Sequence, residues 1–532
     1  MEALTWTGNV GGFLNPILGI FLLILLVGFM LQLISGLFIP SARGYDADGS
    51  LMEHPFTAKI NLAVSISFGL FVGVSLLYLV LGMIFGLEGG GIVGGISKQL
   101  TPVWLTLILI FVFSVAFKRK LGLYGKLFDS PVGMVGLGLI LFWVLVAIFG
   151  GIFDMIVTHN ELSQVSGMKN KLPGTPMRGA EGTDFQYFLL GGDGLARDVF
   201  SRAVKGSAIV IVVAPLATLF AFMVGITLGI PAGYYSDPIL EFGNRAFLIA
   251  CIVGALFISL LTFLGAAVDI IILLILMVVL ILWLLVKSSL DTVLSFLANL
   301  ILAFPVILLF FLLVTPEIVK TGLPNYMALI LFFFPVVFLT VLLNSKYHTR
   351  PDVRLWIVGG VTVLSMWVYL SMISEPDTAI HILPIPLDFI SMPPEILVVF
   401  VSVVFVNSPT VFRIVRGLTL DIKSRDYVAA AQTRGERGWY IMLWEILPNV
   451  RGPLIVDFCL RIGYTTILLG TLGFFGLGLE SESPDWGTTI NAGRRLLSIA
   501  PIPALVPAIA LMSLVLGLNL LADGLREESL RD

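Results

Sequence analysis

The sequence predicts an all-α fold, a polytopic helical membrane protein of about 13 transmembrane helices, and three observations carry that prediction. Hydrophobic residues fill 58% of the 532 positions and Asp, Glu, Lys and Arg only 12%, against about 45–50% and about 25% in a soluble domain. Mean hydropathy is +1.03, and so few charges cannot coat so much apolar surface. Apolar runs matching the roughly 20 residues of a bilayer crossing recur along the whole chain.

In order, the runs are Phe13–Ile39, Ile60–Gly86, Pro102–Phe117, Pro131–Val157, Ser207–Ala232, Ala246–Leu264, Val268–Val286, Thr292–Val314, Tyr326–Leu343, Leu355–Ile373, Ile396–Phe412, Gly452–Leu479 and Pro501–Leu521. Charged or Gly/Pro-rich breaks delimit them, the third being short and the Ala246–Val286 stretch broken only at Thr262–Ala267. No Lys or Arg precedes Arg43, so the basic start of a cleavable signal is missing. The loop with Lys118, Arg119, Lys120 and Lys126 is taken as cytoplasmic. That side then carries about twice the Lys and Arg of the other, with the N-terminus outside and the C-terminus cytoplasmic.

Gly225, Gly229 and Gly233 stand four apart on one helix face and predict close helix packing. Pro215, Pro305, Pro335 and Pro409 interrupt spans and mark kinks or tolerated bends.

Several chemistries are excluded. The net charge of −3 gives no sign of a nucleic-acid partner. Cys251 and Cys459 sit in apolar runs and the four histidines are scattered, so neither a metal site nor a disulfide framework is indicated. No phosphate loop, His-Glu-x-x-His or Gly-x-Ser-x-Gly elbow occurs. No catalytic, cofactor-binding or metal residue is therefore assigned, which leaves transport or scaffolding.

The longest cytoplasmic connection, 413–451, is the most informative segment. Ala429, Ala430 and Ala431 form helix with almost no side-chain bulk, which a partner's groove can grip. Gly435 permits a chain reversal that a Cβ resists, and Pro448, after Leu447, stops one helix before the next span. An ordinary basic loop is the alternative reading of the same residues.

Ala429-Ala430-Ala431, Gly435 and, twelve residues on, Leu447-Pro448 resemble the "EAA" coupling loop of ABC importer permeases, with Ala429 where the leading Glu usually stands. Arg413-Ile414-Val415-Arg416-Gly417, Leu447-Pro448-Asn449-Val450, Gly473–Gly478, Pro484-Asp485-Trp486-Gly487 followed by Gly493-Arg494, and Leu518–Arg526 resemble the dipeptide/oligopeptide/nickel importer family, C-type subunit. Upstream, Gly192–Arg202, Ala232-Gly233-Tyr234-Tyr235 and Ala303-Phe304-Pro305 are similar too, although Ala196 replaces a glycine and Ala208 a later Arg.

The resemblance implies a type I ABC importer permease: a six-helix core plus about seven additional helices. Residues 1–128 form an extra N-terminal region of about three spans, and 129–532 the permease domain, with inserted helix pairs at about 242–289 and 315–395. It further implies a second permease subunit, two cytoplasmic ABC ATPases that bind the ATP, an extracytoplasmic solute-binding protein, and residence in the cytoplasmic membrane of a bacterium or archaeon. Peptides are the default solute.

Asp457 and Arg461 lie one turn apart on one face of the twelfth span. Charges in hydrocarbon face the protein interior or water. The pair either lines the translocation path or neutralises itself for packing. The competing class is an ion-coupled secondary transporter or a membrane scaffold. A secondary transporter calls for several buried ionisable residues, and beyond this pair only span-end acids such as Asp154 and Asp269 qualify.

Overall fold

The computed structural model describes residues 3–38, 55–177, 185–236, 290–374, 392–477 and 482–529. The all-α prediction holds. Among the described residues, nine helices are long and apolar enough to cross a membrane, or ten if one bent pair counts as a span. Inside hydrocarbon only a helix satisfies its own backbone, which is why apolar runs without breakers become helices.

The helices are α1 (Gly8–Phe38), α2 (Pro55–Gln99), α3 (Thr101–Ala116), α4 (Pro131–Val146), α5 (Val199–Tyr234), α6 (Leu290–Leu302), α7 (Val306–Val314), α8 (Leu323–Leu331), α9 (Phe333–Lys346), α10 (Pro351–Ile373), α11 (Pro394–Ile422), α12 (Asp426–Thr433), α13 (Arg451–Phe475), α14 (Trp486–Arg494) and α15 (Ile502–Ser529).

Two of the thirteen predicted spans change. The third run is a helix of 16 residues, short of a full crossing. The eighth, Thr292–Val314, is broken: α6 and α7 meet at 79°. Pro305 lacks the N–H that would continue α6 and opens α7 instead. Pro215 and Pro409 stay inside continuous helices, and Pro335 falls in the first turn of α9, where a missing N–H is harmless. The sixth and seventh runs lie outside the described residues.

The chain divides into two compact units. The first comprises Met1–Ile110, Leu145–Lys205 and Ala492–Val506. In it α1 packs along α2, with Gly28 against Val64 and the Gln32 amide donating to Asn61 at 2.8 Å. α2 bends at Gly86 and Gly91, both at positive φ. The Ile92 and Val93 N–H groups then bond Thr5 and Trp6 of the N-terminal segment at 3.0 Å. A two-stranded ribbon, β1 (Thr175–Pro176) with β2 (Tyr187–Phe188), pairs Thr175 with Phe188.

The second unit comprises Phe111–Val144, Gly206–Asn491 and Pro507–Asp532. Gly225, Gly229 and Gly233 of α5 face Val411, Phe412, Val415 and Thr419 of α11, so the glycine stripe serves helix packing as its spacing predicts. Phe220, Phe332 and Phe400 meet edge to face, with centroids 5.2–5.3 Å apart, and tie α5, the α8–α9 junction and α11 together.

Candidate functional site

α11 ends at Ile422 and the chain turns into the short helix α12. Asp426 stands in its first turn, where a carboxylate suits the positive end of the dipole. Val428 and Ala431, three apart, share a face and are fully buried against Ile441 and Ile446. Ala429, Ala430 and Thr433 are exposed on the other side. Of the three alanines predicted as a gripping surface, two thus face outward and Ala431 anchors the helix.

Gly435 N–H donates to Gln432 O at 2.9 Å and Glu436 N–H to Ala431 O at 3.2 Å, the two bonds of a Schellman cap. Gly435 has φ +77°, and no heavy atom lies within 4 Å of a Cβ built there. Its glycine is required by backbone conformation, not by crowding.

Arg434 folds onto Glu445 at 2.8 Å, and the Gln432 amide donates to the Tyr234 hydroxyl at 3.0 Å. Partial burial raises the Tyr427 hydroxyl above its ordinary pKa, with Arg425 opposing and Glu445 adding to the rise. A π-helical turn, Ile441–Ile446, buries Ile441 and Ile446 beneath α12 and Met442 and Leu443 against Val411 and Val415 of α11. Pro448 sits exposed in the next turn, Leu447–Asn449, and α13 starts at Arg451.

On α13 the Arg461 Nε donates to Asp457 Oδ2 at 2.6 Å, with the side chains 10% and 20% exposed. One turn on, Thr465 lies 3.3 Å from Thr218 and accepts from the Asn407 amide at 3.4 Å. The structure joins Asp457 to Arg461 and continues the polar stripe inward.

Residues to which sequence reading assigned no partner supply the supports. Arg416 forms a bidentate pair with Asp291, and Arg413 donates to Asn299 at 3.0 Å, fastening α11 to α6. Trp444 donates to Ser345 at 3.1 Å and holds the end of α9 beside the π-helical turn. Arg413 and Arg416 were legible as part of a resembling motif and the others only as polar positions in or beside apolar runs, and neither signal names a partner.

The other resembling motifs close turns. Gly476, at φ +72°, ends α13. Asp485 caps α14 by accepting from Thr488 N–H at 3.0 Å, and buried Trp486 packs edge-on against Trp143 at 5.0 Å. Asp193 accepts from the Leu195 and Arg197 N–H groups at 2.8 and 2.9 Å and from Arg197 Nε at 2.7 Å. Ala196, within this loop, has φ +62°. A Cβ in that region costs about 1–2 kcal/mol, partly offset by the flexibility of an unfolded glycine. Ala196→Gly is therefore expected to stabilise the protein by about 1 kcal/mol, seen as a higher melting temperature in detergent; an unchanged or lower one contradicts the strain.

Apolar helices long enough to span a membrane, with a short helix held exposed on a glycine-capped turn between two of them, define a polytopic helical membrane protein. Residues 271–527 match the family described as "Binding-protein-dependent transport system inner membrane component". The match takes in just under half of the chain, its C-terminal part, and the family it resembles is one of transport components. The chain is also similar to the glutathione transport system permease protein GsiD of Pectobacterium atrosepticum, 39% identical over 129 residues. The proteins of that name from Escherichia coli O1:K1 and Salmonella paratyphi A are 38% and 39% identical over the same length. Each match covers 24% of this chain and 43% of the relative, so the chain spans less than half the length of these relatives.

Proposed function

We propose that the chain is the permease subunit of an ATP-driven ABC importer for peptides or a related small solute. It forms the translocation path with a second permease and couples to two cytoplasmic ATPases through 413–451, while an extracytoplasmic binding protein delivers the solute. The observation that carries this is α12: anchored by Val428 and Ala431, exposed at Ala429 and Ala430, and capped at Gly435, inside the region that matches the family. The N-terminus lies outside and the C-terminus in the cytoplasm, following the Lys and Arg bias.

The six-span core comprises α4, α5, the bent α6–α7 pair, α11, α13 and α15. The first three helices, the run at 242–289 and the helices within 315–395 are additions to it. Glutathione, named in the relatives, is the first solute to try. The test is co-purification and energetics. ATPase subunits recovered in stoichiometric amounts, with uptake abolished by ATP depletion but not by an uncoupler, support the reading. Uptake that follows the uncoupler instead overturns it in favour of ion coupling.

A further inference from the structure

The turn between α9 and α10 lies against the segment that follows Gly435, and the two enclose a cavity of about 150 Å³. Asn344, Ser345 and His348 line it from the end of α9, and Arg437, Trp439 and Tyr440 from the turn after α12. No carboxylate stands among the lining residues.

The Arg437 guanidinium, on an exposed residue at the cavity mouth, and the half-buried Asn344 amide have no protein hydrogen-bond or ion-pair partner among the described residues. The walls around them are held in place. His348 Nδ1 lies 2.8 Å from Ser345 O, so that nitrogen carries the hydrogen, and the ring meets Tyr440 at 5.7 Å. Ser345 donates to Leu342 O at 2.8 Å while accepting from Trp444. Lys346 covers the Trp444 ring at 5.0 Å.

Charge around the cavity is positive. Lys346 ends α9, Arg350 precedes α10 and Arg354 lies in its first turn, against Asp352 and Glu436, while Arg434 is paired with Glu445. A guanidinium with unused donors, an unpaired amide and preset walls form a receptor for an oxyanion, which a planar fork grips at two oxygens.

We propose that this cavity binds one phosphate group, held by Arg437 and Asn344. The group comes either from a free phosphate in the cytoplasm or from the headgroup of an anionic phospholipid. The binding joins α9, outside the six-span core, to the turn that carries α12. Its consequence rests on the coupling role proposed above: a bound phosphate pins the base of α12 and slows transport.

The test uses the full chain, without ATPases, in nanodiscs. In neutral phosphatidylcholine discs, labelled orthophosphate binding is expected to be saturable and to weaken about tenfold or more in Arg437→Gln and in Asn344→Leu. Lys423→Gln is the control and leaves it unchanged. In discs containing labelled phosphatidylglycerol, lipid retention that depends on Arg437, without orthophosphate binding, assigns the headgroup as source. If neither ligand depends on Arg437 or Asn344, the site is refuted. If, in a separate co-purification with the ATPases present, Arg437→Gln lowers ATPase recovery while phosphate and lipid binding in the discs are unchanged, Arg437 pairs with a protein and the phosphate site is likewise refuted. Asn344→Leu keeps the test open if Arg437→Gln fails to fold, judged by gel filtration. Because the readout is binding, its failure is separate from any failure of the importer reading, which uptake measures.

Discussion

Uptake by a Gly435→Arg variant is expected to fall about tenfold or more while the protein remains inserted. The reason is local. At φ +77° a side chain costs about 1–2 kcal/mol of backbone energy, yet nothing crowds the position, so the fold survives. What yields is the cap: the Ala431 and Gln432 carbonyls lose their donors and α12 turns off its seat. The new guanidinium also stands beside the exposed Ala429–Ala430 face. Gly435→Asn, which tolerates the left-handed region, is expected to retain most activity, with Gly435→Ala between the two. The checks are uptake, membrane level and affinity for the solute-binding protein, the last two unchanged. Full transport by Gly435→Arg removes the coupling assignment.

Arg461→Leu is expected to destabilise the protein by about 2–3 kcal/mol, below the full cost of breaking a buried pair because the Asp457 left behind is partly exposed. Asp457 then keeps its carboxylate at 20% exposure without the guanidinium 2.6 Å away. Asp457→Asn combined with Arg461→Gln removes both charges and is expected to recover most of that loss. Thermal melting of the purified variants reads the difference; equal losses in the single and double variants show that the two charges do not compensate one another. Substrate preference of the double variant separates the two roles. An unchanged preference assigns the pair to packing, and a changed one places it on the path.

Much of this was legible in the chain. Length of apolar run and scarcity of charge determine spans almost alone, because hydrocarbon leaves the backbone no partner but itself. Gly435 was legible because only glycine enters its backbone region at no cost. The broken eighth span was less so: Pro215 and Pro409 look like Pro305 in sequence, but only at Pro305 do the helices part. Neighbouring helices decide which freed backbone groups are satisfied again.

The sequence by itself determined an all-α membrane protein, its apolar runs, the basic loop 413–451 and the glycine on which that loop turns. These are local or compositional properties, set by one segment and its solvent. Only the tertiary structure decided that Ala431 is buried while Ala429 and Ala430 are exposed, that Arg416 meets Asp291, and that Asn344 and Arg437 share a cavity. Those facts depend on which distant segment each side chain lands against, and burial and pairing are properties of two surfaces at once.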